Sequence, residues 1–231
     1  MSEPMKTAEY IHRVDINPLW GKKHIFWTLR PDVNILSGVN GIGKSTIIRK
    51  MVEKLSGAEL PSVTFTFEPA DAEQIGYDLI RAGMPGKLER LLNGYAYSKT
   101  DRSTFFRVAD ELFAVTEKTI IPNETEILFR QDDEVLTTEQ LSSGERQMLI
   151  ILLSVLLQEG KPYVLFLDEP EISLHFEWQE RLISIIRELN PKVQVVLSTH
   201  SPAIIMSGWV DAVTEPYRSQ YPRNPKTGKG R

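Results

Sequence analysis

The 231-residue sequence contains no cysteine, and this absence excludes disulfide bonds, thiolate zinc sites and cysteine nucleophiles together. It also lacks a long apolar run. The longest, residues 148–157, is interrupted by Ser154 and is far shorter than the roughly 20 residues that a membrane-spanning helix needs. Residues 1–13 contain no apolar stretch of the signal-peptide type. We therefore expect a cytoplasmic protein that is not inserted in a membrane.

An excess of positive charge is absent as well. The chain has 27 Lys and Arg against 31 Asp and Glu, so its net charge of −4 excludes a body-wide basic surface for nucleic acid. Residues 216–231 differ from the rest, because they hold five basic side chains, no acidic ones and several prolines and glycines. This composition predicts a disordered basic tail. A contact with nucleic acid and plain solvation both remain open as its role.

Residues 38–46, GVNGIGKST, stand out as a glycine-rich loop between a short β-rich run at 33–36 and a predicted helix at 47–55. Glycines allow backbone N–H groups to surround a phosphate, and the helix start favours an anion. Lys44 can reach the β- and γ-phosphates, and the Ser45 hydroxyl can bind Mg²⁺. The alternative is a glycine-rich turn before an ordinary helix. The candidate nucleotide-binding residues are Gly38, Asn40, Gly41, Gly43, Lys44, Ser45 and Thr46.

Two apolar runs, residues 163–167 and 193–197, are typical of strands at the centre of a parallel sheet, and polar residues follow both. Asp168 ends the first run and is a candidate Mg²⁺ ligand together with Ser45. Glu169 is the candidate general base for an attacking water. His200 ends the second run and could hydrogen-bond a γ-phosphate or that water. The alternatives are that Asp168 and Glu169 only cap the next helix and that His200 has only a structural role.

Residues 141–147, LSSGERQ, precede a long apolar helix, with Ser142 or Ser143 as its expected N-cap. Hydroxyl and N–H groups at a helix start can form a second anion site. An ordinary capped helix is the alternative to this anion site.

Ahead of this motif, residues 126–130 and 134–136 are predicted to form a hairpin.

The remaining segments predict an N-terminal pair of strands, residues 9–17 and 23–29, and a final strand at 211–214. Residues from about 70 to 118 are predicted to form a small inserted helical lobe with three short helices, around residues 75–80, 88–92 and 105–115. Residues 1–215 would then form one domain. The aromatic residues near the first turn could stack on a base, although packing in the sheet is favoured; they are Trp20, Phe26 and Trp27.

These motifs, in this order, resemble those of the ABC-type ATPases, and the resemblance covers most of the chain, from Gly38 to Pro202. GVNGIGKST resembles the Walker A loop, LSSGERQ the signature motif, YVLFLDEP the Walker B strand with its glutamate, ISLH the D-loop, and STHSP the switch-histidine loop. The signature ends Ser-Gly-Glu, which is similar to the SMC, RecF and OLD-type branch. Ser143 replaces the usual first glycine, and Gln74 is a weak candidate for the glutamine of the Q-loop.

The resemblance implies an α/β P-loop NTPase fold with a mostly parallel central sheet, N-terminal antiparallel strands and the inserted lobe. It implies ATP and Mg²⁺ as ligands and a nucleotide-dependent homodimer or higher oligomer. Two copies would pair head to tail, and each ATP would lie between the Walker A loop of one copy and Ser142 and Gly144 of the other. Glu169 and His200 would be catalytic, and hydrolysis would release the pair.

The expected function is therefore ATP hydrolysis that switches a partner, either an effector protein or DNA. The alternative is the nucleotide-binding subunit of a membrane ABC transporter, which the Ser-Gly-Glu ending and the short lobe disfavour. A non-catalytic nucleotide-gated module is a further alternative, which the presence of both Glu169 and His200 disfavours.

Overall fold

The computed structural model describes residues 5–21, 23–39, 41–84 and 86–214. The predicted tail, 216–231, and Asn40 lie outside the described residues. The strands are β1 (Tyr10–Leu19), β2 (Lys23–Thr28), β3 (Val33–Leu36), β4 (Val63–Glu68), β5 (Gly76–Arg81), β6 (Thr119–Ile121), β7 (Leu128–Gln131), β8 (Glu134–Thr137), β9 (Tyr163–Asp168), β10 (Val193–Ser198) and β11 (Val213–Thr214). The α-helices are α1 (Lys44–Leu55), α2 (Lys87–Tyr97), α3 (Ser103–Phe113), α4 (Ser143–Leu156), α5 (Phe176–Leu189) and α6 (Pro202–Met206).

A five-stranded sheet in the order β11-β3-β10-β9-β5 forms the centre of the fold, and all its strand pairs are parallel. The continuous apolar runs of β9 and β10 are the reason these strands lie in the middle, since a central parallel strand is covered on both faces. The prediction of an α/β fold with a mostly parallel sheet is confirmed.

Alternate residues of the central strands enter two separate hydrophobic cores, as the two-residue period of a strand requires. In β9, Leu165 and Leu167 pack with the helices α2 to α6, whereas Val164 and Phe166 pack with α1 and the N-terminal strands. The parallel sheet therefore separates one mostly helical layer from a second layer that contains the phosphate-loop helix.

The second layer contains an antiparallel sheet in the order β2-β1-β4, which confirms the predicted N-terminal antiparallel strands. A buried polar side chain also joins this sheet to the parallel one by hydrogen bonds. Gln194 of β10 accepts a hydrogen bond from the backbone N–H of Ile11 at 2.9 Å and donates to the carbonyl oxygens of Ile11 and Arg30 at 2.9 and 2.8 Å. The polar residue within an apolar run is thus explained by three satisfied hydrogen bonds.

The predicted inserted lobe contains two helices and not three. The interpretation of residues 75–80 as a short helix is wrong, because they lie in and next to β5, which pairs in parallel with β9 along its whole length. A short apolar run does not distinguish a strand from a helix, and here pairing with the buried β9 decides the outcome. The helices α2 and α3 match the other two predicted segments, and the predicted hairpin is confirmed as β7 and β8, with β6 added beside it.

The last predicted strand is shorter than expected. Residues 210–212 form a 3₁₀ turn, and only Val213 and Thr214 pair with β3. Within the described ranges, no helix combines the length and the apolar character that crossing a bilayer requires.

Candidate nucleotide site

The glycine-rich loop links β3 to α1, and its glycines adopt backbone angles that other residues avoid. Gly38, Gly41 and Gly43 have φ angles of 141°, 78° and 100°. Gly43 is the N-cap of α1, and no side chain caps that helix start. The first N–H groups of α1 are therefore available to an external acceptor, as they are in phosphate-binding loops. Ser45 is exposed and Thr46 is half-buried in the first turn of α1.

The ammonium group of Lys44 is buried within the loop, and its side chain folds back over the site. The residue is 4% exposed. Nζ donates to the carbonyl oxygen of Gly38 at 3.0 Å and contacts the carbonyl oxygen of Val39 at 3.4 Å. Burial lowers the pKa of Lys44, and the negative charges of Glu169, Glu171 and Asp168 oppose that effect. Within the loop, the Lys44 ammonium thus has only neutral carbonyl oxygens as described partners.

The carboxyl ends of three neighbouring strands align in one row. Leu36 of β3 pairs with Ser198 of β10, which pairs with Asp168 of β9. The Ser198 hydroxyl donates to Oδ1 of Asp168 at 2.6 Å. The backbone N–H of Glu169 contacts the carbonyl and hydroxyl oxygens of Ser198 at 3.1 and 3.2 Å. The edge of the sheet therefore brings the phosphate loop and the two acids together.

His200 contacts both the loop and the acidic segment. Its Nε2 lies 2.7 Å from Nζ of Lys44 and 3.5 Å from Oε1 of Glu169. Because an ammonium group only donates, Nε2 is the acceptor in the contact with Lys44, and the proton of a neutral imidazole is then on Nδ1. The structure thus gathers Lys44, Glu169 and His200, which come from three separate segments of the sequence.

The oxygen ligands that Mg²⁺ prefers are available at the same edge. Ser45 is exposed in the first turn of α1, and Asp168 is half-buried as the last residue of β9. Hydroxyl and carboxylate oxygens fit this ion, which usually keeps several of its waters. The pair is therefore chemically suited to Mg²⁺ bound with phosphate oxygens.

The signature-like segment opens α4 with a complete capping arrangement. Ser142 is the N-cap, its hydroxyl accepts from the N–H of Glu145 at 3.3 Å, and the Glu145 carboxylate accepts from the N–H of Ser142 at 2.7 Å. Of the two serines proposed as N-cap, Ser142 holds the position. Ser142 and Ser143 are both exposed, and the described hydrogen bonds of Ser142 are made within the start of α4 itself.

Glu145 also forms a buried ion pair with Lys118, which precedes β6. The two side chains are 3% and 11% exposed, and Nζ lies 2.9 Å from Oε1. Burial raises the pKa of Glu145, but hydrogen bonds from Thr116, Lys118 and Ser142 outweigh that effect and lower the pKa to about 2. The glutamate in this position is therefore a fixed negative charge that ties the signature helix to the lobe.

Gly144 lies so close to the segment after β9 that no side chain fits. A Cβ atom there would be 2.2 Å from the carbonyl oxygen of Ser173. Ser173 itself has a φ of 76° and belongs to the D-loop-like segment. The glycine is therefore required for packing within the chain, apart from any role toward a ligand.

The aromatic candidates for base stacking divide into two groups. Trp27 is 4% exposed, which confirms packing in the sheet for this residue, whereas Trp20 and Phe26 are 50% and 46% exposed. Cationic side chains lie over both exposed rings, with Nζ of Lys23 5.6 Å from the ring of Trp20 and Arg13 4.8 Å from that of Phe26. Trp20 and Phe26 are therefore the aromatic residues that remain accessible to a base.

Gln74 precedes β5 and therefore lies at the amino edge of the sheet, opposite Asp168. Its side chain donates to the carbonyl oxygen of Met5 at 3.3 Å. This position removes Gln74 as a candidate for the Q-loop glutamine. The carboxyl end of β5 is Arg81, which is in register with Asp168.

Two residues at the site were missed as functional candidates from the sequence. Ser198 bridges the two strand ends through Asp168, and Glu171 accepts a hydrogen bond from the backbone N–H of His200 at 2.7 Å. Ser198 lies within the STHSP motif and Glu171 lies between the YVLFLDEP and ISLH motifs, but only the folded strands show what their side chains contact.

A family model described as "AAA domain, putative AbiEii toxin, Type IV TA system" matches residues 89–207, more than half of the chain. The match includes the signature-like segment, the acids Asp168 and Glu169 at the end of β9, and His200, and it begins after the phosphate loop. A solved structure described as an SMC head bound to the C-terminal winged-helix domain of ScpA is similar in fold, with a TM-score of 0.59, 13% identity, and coverage of 86% of this chain and 92% of that one. The P-loop NTPase fold is therefore confirmed.

Curated relatives are similar over shorter stretches. The Septu protein PtuA of Bacillus thuringiensis is 22% identical over 46% of this chain and 31% of its own length. The retron Vc95 probable ATPase of Vibrio cholerae is 31% identical over 38% of this chain and 18% of its own length. A putative ABC transporter ATP-binding protein of Caldanaerobacter subterraneus is 30% identical over 48% of this chain and 21% of its own length. The chain thus spans about a third or less of the length of each.

Proposed function

Because the chain belongs to the family of AAA domains described as "putative AbiEii toxin, Type IV TA system", a P-loop ATPase family, we propose that it binds and hydrolyses ATP with Mg²⁺ at the carboxyl edge of its parallel sheet. The observation that carries this proposal is the convergence of Lys44, His200 and Glu169. Nε2 of His200 lies 2.7 Å from Nζ of Lys44 and 3.5 Å from Oε1 of Glu169.

Different residues would bind the phosphates, accept the proton of the attacking water and hold Mg²⁺. The backbone N–H groups of the glycine-rich loop and the Lys44 ammonium bind the phosphates, since phosphate oxygens are stronger acceptors than the carbonyls that Lys44 now contacts. Glu169 accepts a proton from a water molecule while the oxygen of that water bonds to the γ-phosphorus. The bond from this phosphorus to the β,γ-bridging oxygen breaks, and ADP leaves with that oxygen. His200 hydrogen-bonds the γ-phosphate. Ser45 and Asp168 would hold Mg²⁺, which would neutralise phosphate charge.

The second part of the proposal is a head-to-tail dimer that encloses two ATP molecules. Ser142 and Ser143 are exposed at the start of α4, and the capping box fixes their backbone without using the Ser143 hydroxyl. Exposed apolar residues lie on and beside the segment that contacts Gly144, with Ile172 at 49% and Phe176 at 63% exposure. These features support a surface that a second copy covers when its ATP contacts Ser142 and Gly144.

The test is the solution mass of the Glu169→Gln variant with and without ATP and Mg²⁺. Removal of the base should abolish turnover, leave binding intact and convert a monomer to a dimer. Addition of Ser142→Arg should keep the monomer. Glu177→Gln, at an exposed position in the first turn of α5, is the matched control and should turn over ATP like the unmodified chain. ATP binding without a change in mass would refute the dimer, and absence of ATP binding would refute the proposal as a whole.

The output of the cycle is proposed to be the switching of an effector protein or DNA. A transporter-linked role is the second candidate, and the similarity to a putative ABC transporter ATP-binding protein favours it. Co-sedimentation of the ATP-trapped Glu169→Gln variant with membranes, compared with its binding to duplex DNA at two salt concentrations, separates the two. Retention on membranes alone would support the transporter role, and salt-sensitive DNA binding would support the DNA-linked one.

A further inference from the structure

The loop that presents His200 begins where the pairing of β9 with β10 ends. Asp168 and Ser198 are the last residues of these strands in register, and the N–H of Glu169 is the last backbone donor to β10. The backbone N–H of His200 comes next. Its acceptor is not backbone but Oε1 of Glu171, at 2.7 Å. A side chain therefore continues the ladder by one hydrogen bond beyond the end of β9.

Glu171 is held in a defined turn that reaches this position. Glu169 has a φ of 50°, the N–H of Ile172 contacts the carbonyl oxygen of Glu169 at 3.3 Å, and the N–H of Leu174 donates to the carbonyl oxygen of Glu171 at 3.0 Å. On its far side the turn packs against Gly144 through Ser173. The backbone that carries the carboxylate is thus fixed both by its own hydrogen bonds and by the signature helix.

The second carboxylate oxygen of Glu171 differs from the first. Oε2 is buried and, among the residues that the structure describes, has no hydrogen-bond partner. Buried polar atoms are nearly always paired, and a functional constraint is one of the accepted reasons for an exception. The carboxylate therefore has one oxygen on the backbone N–H of His200 and the other without a described partner, an arrangement suited to positioning His200.

Resting on the proposed ATPase function, we propose that Glu171 is a positioning residue that holds the His200 backbone and so fixes the imidazole against Lys44 and Glu169. It acts through His200 and does not itself contact the reacting atoms. The remaining contacts of the loop are independent of it, because the N–H of Thr199 contacts the carbonyl oxygen of Leu36 at 3.2 Å and the Ser201 hydroxyl donates to Gln179 at 2.7 Å. Loss of the carboxylate therefore leaves the loop attached and the His200 backbone free to rotate.

Steady-state kinetics of Glu171→Ala and Glu171→Gln test this role. Loss of a hydrogen bond to a charged acceptor should lower kcat about tenfold in the alanine variant, while the Kd for ATP changes by less than about twofold. The glutamine variant keeps an oxygen acceptor and should retain kcat within about threefold of the unmodified chain. Glu180→Ala, an exposed position in α5, is the control and should have no effect. An alanine variant with unchanged kcat, or a glutamine variant as impaired as the alanine one, would overturn the proposal.

Amide hydrogen exchange of His200 in the nucleotide-free chain provides a readout that does not depend on ATP turnover. Exchange at His200 should accelerate by at least about tenfold in Glu171→Ala and remain close to the unmodified rate in Glu171→Gln, with the amides of Val195 and Val196 unchanged in both. Unaltered exchange at His200 in the alanine variant would refute the positioning role. A chain that hydrolyses no ATP would refute the proposed function instead, and the exchange result would still decide the role of Glu171.

Discussion

The N-caps of α1 and α4 are both small residues, Gly43 and Ser142, yet the first turns of the two helices are satisfied in opposite ways. At α1 the N-cap is Gly43, no side chain caps the helix, and no acidic residue lies in the first turn. At α4 the N-cap Ser142 and Glu145 bind each other's backbone N–H groups. An external anion can therefore bind the first helix start, whereas at the second the Ser142 and Glu145 side chains already accept hydrogen bonds from the N–H groups of Glu145 and Ser142.

The start of α1 and the start of α4 are therefore expected to respond differently to a ligand. Ligand binding should order and stabilise the α1 region, because its N–H groups and the Lys44 ammonium gain partners there. The α4 start is instead held in place within the chain by the buried pair of Glu145 and Lys118. Three further predictions test how far this contrast holds.

The largest effect is expected for Lys118→Met. This change leaves the buried Glu145 carboxylate without its cation, so the free energy of unfolding should fall by about 3 kcal/mol. Denaturant unfolding monitored by circular dichroism measures the loss. Lys161→Met is the matched control, because Lys161 pairs with Glu159 at the surface and its side chain is 72% exposed. A loss no greater than that of the control would show that the α4 start is not held by this pair.

The second prediction concerns pH. The folded-state pKa of Glu145 is lowered from 4.5 to about 2, so its contribution to stability is present above about pH 4.5 and declines as the pH falls toward 2. Between pH 6 and pH 3 the unmodified chain should lose about 2 kcal/mol more stability than the double variant Glu145→Gln/Lys118→Met. Parallel losses in the two proteins would contradict the assignment of this charge to the α4 start.

The smallest effect is expected for Gly144→Ala. The added methyl group must displace the Ser173 carbonyl oxygen, which should cost about 1 to 2 kcal/mol and weaken ATP-dependent association. Ser143→Ala, at the neighbouring exposed position, should change the free energy of unfolding by less than about 0.5 kcal/mol. Equal stability of the two variants would mean that the turn at Ser173 yields easily and is not a rigid support.

The sequence predicted the elements whose signals are local. Continuous apolar runs identified β9 and β10, and the glycine spacing identified the loop before α1. The strand β5 was mistaken for a helix, because only its pairing with β9 marks it as part of the sheet. The pair of Glu145 and Lys118 and the bond from His200 to Glu171 join distant segments, so no periodicity within one segment reveals them.

The amide of Gln194 has a mechanical consequence for the fold. Its three hydrogen bonds fasten the first strand, β1, and the segment before β3 to β10, the strand that leads to His200. Sliding of the antiparallel sheet by one residue would break all of them at a buried side chain. We therefore expect β1 and β10 to move together, so that a displacement of the antiparallel sheet also shifts the strand that leads to His200.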